Sequence, residues 1–373
     1  MNKREISEIK KQLTPSSCCI LRICGCYVDA EKQKITQFKE AFLSLPEEDI
    51  FKFLDIFRKS MTGKIEKNLF NMDFPLECEE ADGTQDFLLR LRNSQLKDDD
   101  LLDQFFDSVI EAYDYAGNYL VLLIYSTYDI PGKSTDNMTM VDASDEVYSY
   151  ITCAICPMNL TKPGLAYDTK EQRIQNRVRD WVVEMPMHGF LFPTFNDRSA
   201  DIHSVLYYAK KSSDLQQNFI SSIFACPSPI AADDQKAMFE MILEDSVGER
   251  LDFSKAKMIH DNLMERVVES HERIETCTLG KQQLKDILEE CNVEESILES
   301  FDAVYDSVAG ENVSLNGENL VNQNKFEVKT GSVVIHAKPE DATMIETKIV
   351  DGMRCIVIAV EDKIEVNGVC TSF

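Results

Sequence analysis

The sequence predicts a protein of the α/β or α+β class, with an N-terminal mixed α/β domain, an acidic helical middle section and a small C-terminal β module. Residues 119–130 form a near-continuous apolar run, which is typical of a strand buried on both faces. Amphipathic helical patterns follow one another from residue 212, and patterns typical of strands return after residue 311. We therefore expect sections at residues 1–211, 212–310 and 311–373.

Helices and strands near the start of the chain can be predicted from their patterns. We expect a short helix over residues 1–13 and a strand over residues 19–28. Two helices should follow, the second of which begins at Pro46 and ends near Gly63. Residues 98–115 carry a broad apolar stripe, with three aspartates in the first turn at the positive end of the helix dipole. They predict a helix that is buried along one side.

The rest of the first section combines a strand, a helix and a hairpin. A strand is expected at residues 146–156. Apolar residues at helical spacing predict a helix over residues 171–185. The apolar, aromatic-rich runs 189–195 and 202–209 flank a short polar segment of turn-forming residues, which indicates a β-hairpin.

The second and third sections show the same kinds of pattern. Helices are expected at residues 214–225, 232–245, 254–275, 281–291 and 294–308, and strands at residues 326–329, 332–337, 348–350, 354–361 and 363–366. Asp351-Gly352 is a suitable two-residue turn for a β-hairpin. We detect no internal repeat that would indicate a solenoid.

Composition and charge restrict the class of protein. Among 373 residues there are 65 acidic and 39 basic side chains, which gives a formal net charge of −26. That balance favours solubility and opposes indiscriminate binding to nucleic acid or anionic membranes, although it leaves room for a local basic surface. The charged N-terminal stretch is not followed by an apolar segment, and no apolar run is long enough to span a bilayer. We therefore predict a cytoplasmic protein with no membrane partner.

Four strings of the sequence resemble an uncharacterised bacterial family, domain of unknown function 4317. They are R-I-C-G-C-Y-V (22–28), K-E-A-F-L-S-L-P-E-E (39–48), P-G-L-A-Y-D (163–168) and G-F-L-F-P-T-F-N-D-R-S-A-D-I-H-S-V-L-Y-Y (189–208). The resemblance extends over almost the whole chain. It implies no particular activity, cofactor or catalytic residue.

The order of the sections also resembles, more distantly, the nucleoid-associated proteins of the NdpA type. The similarity consists of an α/β front half, a strand ending in Y-Y-A-K-K followed by a helix, an acidic helical section, and a β tail containing G-S-V-V-I-H and K-I-E-V-N-G. This resemblance implies association with the nucleoid.

One polar cluster is the best candidate for a catalytic site: Asp197, Arg198, Asp201 and His203. Residues two apart in a strand face the same side, so Asp201 and His203 could converge. Together with Asp197 they would offer ligands suited to a hydrolytic divalent metal ion. Arg198 could then hold a phosphate group. The alternative is a loop held by its own hydrogen bonds, with Arg198 paired to a carboxylate and His203 on a sheet face.

Twelve cysteines are spread along the chain and are expected to be mostly free thiols in a reducing compartment. Cys24-x-Cys26 and Cys153-x-x-Cys156 together could supply four sulfurs to zinc, or the second pair could act in redox chemistry. Both pairs lie in apolar stretches that are predicted as strands. That location favours small buried core residues instead.

Positive charge is concentrated around the predicted helix at residues 171–185. The basic residues are Arg173, Arg177 and Arg179 within it, and Lys210 and Lys211 after the predicted hairpin. Such a surface could bind an anionic partner, including a DNA backbone. Pairing with the plentiful acidic side chains is the alternative.

No complete catalytic or nucleotide-binding motif occurs in the sequence. We therefore favour a binding or scaffold protein without enzymatic activity or a resident cofactor, whose partner is DNA, the nucleoid or another protein. The alternative is a metal-dependent phosphoester hydrolase that uses Asp197, Asp201 and His203 as ligands of a divalent ion. The sequence does not specify the oligomeric state.

Overall fold

The computed structural model describes residues 1–133, 139–360, 363–366 and 368–371. Helices and strands are both abundant, and the strands of the main sheet are antiparallel, so the predicted mixed class is confirmed as α+β. The chain forms two compact units, Met1–Ala231 and Ala232–Phe373. The division into three sections remains a prediction.

One large sheet organises the first unit. Its helices are α1 (Lys3–Lys11), α2 (Glu47–Lys59), α3 (Thr84–Asn93), α4 (Asp99–Ala112) and α5 (Gln217–Ile223). Its strands are β1 (Ile20–Val28), β2 (Lys34–Ala41), β3 (Leu69–Asp73), β4 (Tyr119–Lys133), β5 (Thr139–Leu160), β6 (Leu165–Asp168), β7 (Arg173–Asn176), β8 (Trp181–Val183), β9 (His188–Phe192), β10 (Thr194–Asn196), β11 (Ser199–Asp201) and β12 (Ser204–Ala209). In the sheet the strand order is β2-β1-β4-β5-β9-β12-β3, and β8 pairs with β5.

Helices cover both faces of this sheet. α3, α4 and α5 pack on one face, whereas α1 and α2 pack on the other. Along β4, Val121 and Leu123 point into the first core and Leu122 and Ile124 into the second. Because both faces are buried, the strand is apolar at nearly every position, and the strand predicted at residues 119–130 is confirmed.

Two of the predicted helices are wrong. The first helix expected after the strand at residues 19–28 is instead β2, an edge strand that pairs antiparallel with β1 and is largely exposed. Residues 171–185 are not helical either, since they contain β7 and β8. By contrast, the predicted hairpin at residues 189–209 is present, because β9 and β12 pair directly, with Leu191 opposite Leu206.

The second unit combines a helical core with small hairpins. Its helices are α6 (Ala232–Ser246), α7 (Phe253–Arg273), α8 (Lys281–Glu290), α9 (Glu295–Val308) and α10 (Gly317–Leu320). Its strands are β13 (Thr278–Leu279), β14 (Leu315–Asn316), β15 (Phe326–Lys329), β16 (Val334–Ala337), β17 (Ile345–Val350), β18 (Met353–Ile358), β19 (Ile364–Val366) and β20 (Val369–Thr371). The helices bury one common core that includes Ile242, Leu263, Leu284 and Phe301.

The predicted turn at Asp351-Gly352 is confirmed. Val350 pairs with Met353, and the two turn residues have φ angles of 50° and 78°. Both residues are therefore in the left-handed region, which favours Asp-Gly in a two-residue hairpin turn. Residue 361, where the predicted strand at residues 354–361 ends, lies outside the described residues.

None of the helices in the described ranges combines the length and the apolar character that a membrane span requires.

Candidate functional site

The predicted polar cluster lies at the tip of a short hairpin formed by β10 and β11. Asn196 pairs with Ser199, so Asp197 and Arg198 form a two-residue turn, with φ angles of 48° and 61°. Left-handed angles at both positions fit the twist of antiparallel strands, and Asp tolerates them better than most residues. The backbone conformation of the turn therefore sets the directions in which the side chains of Asp197 and Arg198 leave the hairpin.

The turn is tied to α1 by hydrogen bonds. The Asp197 amide donates to Glu5 Oε1 over 2.9 Å, and Arg198 Nη1 donates to Glu8 Oε1 over 3.1 Å. Arg198 Nη2 also donates to the Pro131 carbonyl over 3.0 Å. Tyr128 donates its hydroxyl proton to the same Glu8 oxygen over 2.8 Å. The guanidinium of Arg198 is thus engaged by groups of the chain itself.

Asp201 is also held by neighbouring donors. Asn196 Nδ2 and Ser204 Oγ donate to Asp201 Oδ2 over 2.6 Å and 2.9 Å, and the His203 amide donates to Oδ1 over 3.0 Å. Burial by itself would raise the pKa of Asp201, but these hydrogen bonds outweigh it and lower the pKa. The same hydrogen bonds that stabilise the ionised carboxylate also tie it to the hairpin and to the turn that follows.

His203 does not converge with Asp201 as predicted. It lies in the turn between β11 and β12, so the two-residue periodicity of a strand does not apply to it. Its side chain is largely exposed, and its Nδ1 lies 2.7 Å from Glu79 Oε1, a hydrogen bond that raises the pKa of His203. No set of three or more His, Cys, Asp or Glu side chains in the described ranges is arranged to hold a metal ion.

Replacing Arg198 by alanine is expected to lower the free energy of unfolding of the first unit by about 1–3 kcal/mol, because hydrogen bonds to the Glu8 carboxylate and a backbone carbonyl are lost. Urea denaturation followed by circular dichroism measures the change. The matched control is Arg177→Ala, at an exposed arginine for which the structure describes no side-chain partner, and it should change stability by less than about 0.5 kcal/mol. Equal costs for the two variants would contradict a structural role for Arg198.

The cysteine pairs are core residues. Cys24, Cys26, Cys153 and Cys156 are all fully buried free thiols. Cys153 packs in the core beside α4, whereas Cys156 packs in the core beside α1 and α2, so the two sulfurs lie on opposite faces of the sheet. Burial raises the pKa of Cys24 to about 12 and that of Cys26 to about 11, which keeps both thiols protonated. This arrangement favours packing over metal or redox chemistry.

Residues 161–187, here named the arm, form an excursion from the large sheet between β5 and β9. β6 and β7 pair as a hairpin, and β8 returns alongside the end of β5. The Asp168 carboxylate accepts hydrogen bonds from the amides of Lys170 and Glu171 over 2.8 Å and 3.1 Å, which closes the hairpin turn. Arg179 Nε donates to the Thr161 carbonyl over 2.7 Å at the root of the arm.

One face of the arm is apolar and exposed. Tyr167 lies directly opposite Ile174 in the hairpin, and Leu165 lies two residues before Tyr167 on the same side. Leu165, Tyr167 and Ile174 are 77%, 58% and 62% exposed. On the other face, Ala166, Asp168 and Gln175 are less exposed, whereas Arg173 is exposed. Trp181 and Val178 add further exposed apolar surface along the arm.

The predicted basic residues belong to the same arm or to its root. Arg173, Arg177 and Arg179 are exposed, and within the described ranges none of them forms an ion pair with a carboxylate. Lys210 and Lys211 follow β12 and are exposed, and the Lys210 amide donates to the carbonyl of Met187, the last residue of the arm, over 2.8 Å. Arg198, in the turn between β10 and β11, pairs with Glu8 instead of adding to this basic group.

The apolar face of the arm was not predicted, because Ile174 was assigned to the stripe of a helix, whereas Leu165 and Tyr167 were assigned to no helix or strand. A signal for it is present in the sequence. Leu165-x-Tyr167 alternates in the manner of a strand, and the polar stretch 168–172 that follows is a suitable turn before Ile174. Periodicity shows which residues share a face, but it does not show whether that face is covered.

A buried polar network lies beneath the start of β9. His188 is 1% exposed, and its Nδ1 lies 2.7 Å from the Tyr113 hydroxyl. Its Nε2 lies 2.8 Å from the carbonyl oxygen of Asp214. A carbonyl can only accept, so Nε2 carries a proton and donates, and Nδ1 of the neutral ring accepts from Tyr113. Every polar atom of the ring is therefore satisfied, as expected of a structural core histidine.

The family model described as Domain of unknown function (DUF4317) matches residues 1–369, and the chain therefore belongs to that family. The predicted resemblance is confirmed. No match was found among curated proteins or among solved structures.

Proposed function

We propose that this member of the DUF4317 family is a non-enzymatic binding protein that docks another protein on the apolar face of its arm. The observation that carries this proposal is the outward face formed by Leu165, Tyr167 and Ile174, each more than half exposed. A hairpin that pairs only two strands gains little stability from its own contacts. Large apolar side chains that are exposed on such a hairpin contribute hydrophobic free energy only when a partner buries them.

The size of the effect supports docking. Burying a Leu, Ile or aromatic side chain that is otherwise in water contributes about 1.5–3 kcal/mol each. Three such side chains lie on one face of the β6–β7 hairpin and would form the apolar centre of such an interface. Exposed apolar patches that are rimmed by polar side chains mark interaction sites in many proteins.

The chemistry of the arm favours a protein partner with an acidic rim. Tyr, Trp and Arg are the side chains that dominate the energetics of protein interfaces, and the arm presents all three types. The aliphatic members, Leu165 and Ile174, suit an apolar protein surface better than a nucleic acid base. Arg173, Arg177 and Arg179 are exposed on the same arm, with Arg173 on the opposite face of the hairpin from Ile174, and could form ion pairs with carboxylates of the partner.

Nucleic acid is the second candidate partner. The observation that favours it is that the three arm arginines form no ion pair with a carboxylate in the described part of the chain, and that the same arm exposes the rings of Tyr167 and Trp181. The formal charge of −26 opposes this candidate, because the rest of the chain repels phosphate. We prefer the protein partner for that reason.

The hydrolase alternative has less support. The carboxylate of Asp201 and the guanidinium of Arg198 already have hydrogen-bond partners within the chain, and His203 is directed to Glu79. The cytoplasmic location predicted from the sequence remains part of our proposal. Twelve free cysteines support it, because such thiols persist in a reducing compartment.

The variant Leu165→Ser/Tyr167→Ser/Ile174→Ser is expected to lose at least about 100-fold in affinity for a partner docked on the arm, since three apolar anchors are removed together. Quantitative affinity capture from cells that naturally contain the protein, followed by titration of each captured protein, measures the loss. The matched control is Leu76→Ser, at a side chain that is 79% exposed elsewhere in the first unit. A partner that binds the triple variant as well as the wild type would show that the arm is not its docking surface.

Titration of labelled single-stranded and double-stranded DNA separates the two partner classes. Binding that weakens steeply with salt, and that is lost in Arg173→Glu/Arg177→Glu/Arg179→Glu, would favour nucleic acid. No DNA binding at low salt, together with a captured protein whose affinity depends on Leu165, Tyr167 and Ile174, is the result we expect.

A further inference from the structure

No strand pairs with the outer edge of β17 in the described part of the second unit, although α7 contacts β17 and its Phe253 packs against the cluster that contains Ile345. β17 pairs only with β18 there, and its residues from Glu346 to Val350 are exposed. Ile349 is 76% exposed, although it lies on the same side of the strand as Ile345, which is buried against Phe326. An exposed strand edge with unpaired backbone groups is a template for another strand.

The hydrogen-bond pattern of the hairpin determines which backbone groups point outward. The Ala359 amide donates to the Met344 carbonyl over 2.8 Å, so these two residues form a hydrogen-bonded pair. Such pairs alternate with non-hydrogen-bonded pairs along antiparallel strands. In the register of β17 and β18, the N–H and C=O groups of Ile345, Thr347 and Ile349 therefore point away from β18.

The side chains along this edge are complementary to themselves. Within one chain, Lys348 Nζ already lies 2.9 Å from Glu346 Oε2. If β17 pairs antiparallel with β17 of a second copy about Thr347, Glu346 also faces Lys348 of the second copy, and Lys348 faces Glu346 of that copy, so that opposite charges alternate. A register centred on Glu346 would oppose two glutamates, and one centred on Lys348 would oppose two lysines. Opposite charges across the strands therefore select the register centred on Thr347.

Backbone and apolar groups agree with the same register. The outward groups of Thr347 meet those of Thr347 in the second copy, and those of Ile349 meet those of Ile345. The charged pairs then occupy the non-hydrogen-bonded positions, where side chains across an antiparallel pair approach most closely. Each exposed Ile349 is placed beside the apolar cluster of the other copy that contains Ile345 and Phe326.

We propose that the protein forms a symmetric dimer by antiparallel pairing of the β17 edges of two copies, centred on Thr347. This inference is independent of the docking surface on the arm, because it concerns only residues of the second unit. A two-fold axis through Thr347 makes the interface isologous and closed, so that association stops at the dimer.

Sedimentation velocity of the full chain over a range of protein concentrations tests the proposal. The wild type should sediment as a dimer, with twice the chain mass of 42.5 kDa. Glu346→Lys and Lys348→Glu each place like charges opposite each other at both charged positions, and each should raise the dimer dissociation constant about tenfold or more. The double variant Glu346→Lys/Lys348→Glu restores opposite charges and should dimerise like the wild type.

Mixing the two single variants provides a control that changes in folding cannot imitate. One variant then carries two lysines and the other two glutamates at positions 346 and 348, so both charged pairs are restored only in the mixed dimer. An equimolar mixture should form a heterodimer at concentrations where each variant alone is monomeric. A wild type that is monomeric at every concentration would overturn the proposal, and so would a dimer that the single reversals do not weaken or that mixing does not restore.

Discussion

Replacing His188 by alanine is expected to lower the free energy of unfolding of the first unit by about 3–5 kcal/mol. The ring is 1% exposed, so its removal leaves a cavity in a closely packed region. It also leaves the Tyr113 hydroxyl and the Asp214 carbonyl without the partners that lie 2.7 Å and 2.8 Å away. The two unsatisfied polar groups and the cavity each lower the free energy of unfolding, and their contributions add. Urea denaturation followed by circular dichroism measures the loss.

Tyr113→Phe is the matched control for that loss. It removes only the hydroxyl and retains the aromatic ring that packs against Tyr119 and Phe219. Its cost should be about 1–2 kcal/mol, from one hydrogen bond and an unsatisfied Nδ1. If His188→Ala costs no more than Tyr113→Phe, the network does not organise the core as the geometry indicates.

The pH dependence of stability gives an independent readout of the same histidine. Burial lowers the pKa of His188, opposed by the Asp214 carbonyl that accepts its proton and by the Asp214 carboxylate. In the unfolded chain the pKa is about 6.5, so the unfolded state binds a proton at a higher pH than the folded state does. The free energy of unfolding therefore falls as the pH drops below about 6.5. In His188→Gln this contribution should be absent, and the difference between the two profiles isolates it.

The large sheet could be predicted from the sequence wherever burial is complete. Residues 119–130 are mostly apolar because helices cover both faces of β4, and the runs 189–195 and 204–209 are mostly apolar for the same reason. Where the chain is exposed, the hydrophobic pattern of the sequence no longer indicates which segments pair as strands. β2 has no clear alternation because most of its side chains face water, and its conformation is set by pairing with β1.

The error at residues 171–185 has a related cause. Ile174, Val178 and Trp181 recur at helical spacing, and the helix prediction assumes that such a stripe is buried. In the structure all three are exposed, so no core required that spacing. The same exposure makes the arm a candidate docking surface. That surface could not be recognised from the sequence, because exposure depends on how the strands are arranged.

The candidate catalytic cluster was predicted from its residue types and from the two-residue period of a strand, both of which are local features of the sequence. Asp197 and Arg198 do lie together, but the turn directs Arg198 to Glu8, which is 190 residues away in sequence. His203 is directed to Glu79, at a separation of 124 residues. Partners so distant along the chain are fixed by the packing of α1 and the segment before α3, and no local motif encodes them.

Gly189→Ala is expected to destabilise the first unit by about 1–3 kcal/mol, because the centre of the sheet has no room for a methyl group. β9 lies between β5 and β12, and Gly189 is opposite Ala154 on one side and Tyr208 on the other. A Cβ atom at Gly189 would lie 2.4 Å from the carbonyl oxygen of Cys153 and 3.4 Å from Ser60 Cβ. The oxygen belongs to the backbone of β5, so the methyl group can be accommodated only if the two strands move apart.

Gly164→Ala is the matched control for this substitution. It lies at the root of the arm, where an added Cβ meets no atom within 4 Å, so the change in stability should stay below about 0.5 kcal/mol. Thermal and urea unfolding of both variants measure the difference. Equal effects at the two glycines would mean that β5 and β9 can separate at little cost. The close pairing on which the positions of His188 and the arm depend would then not be rigid.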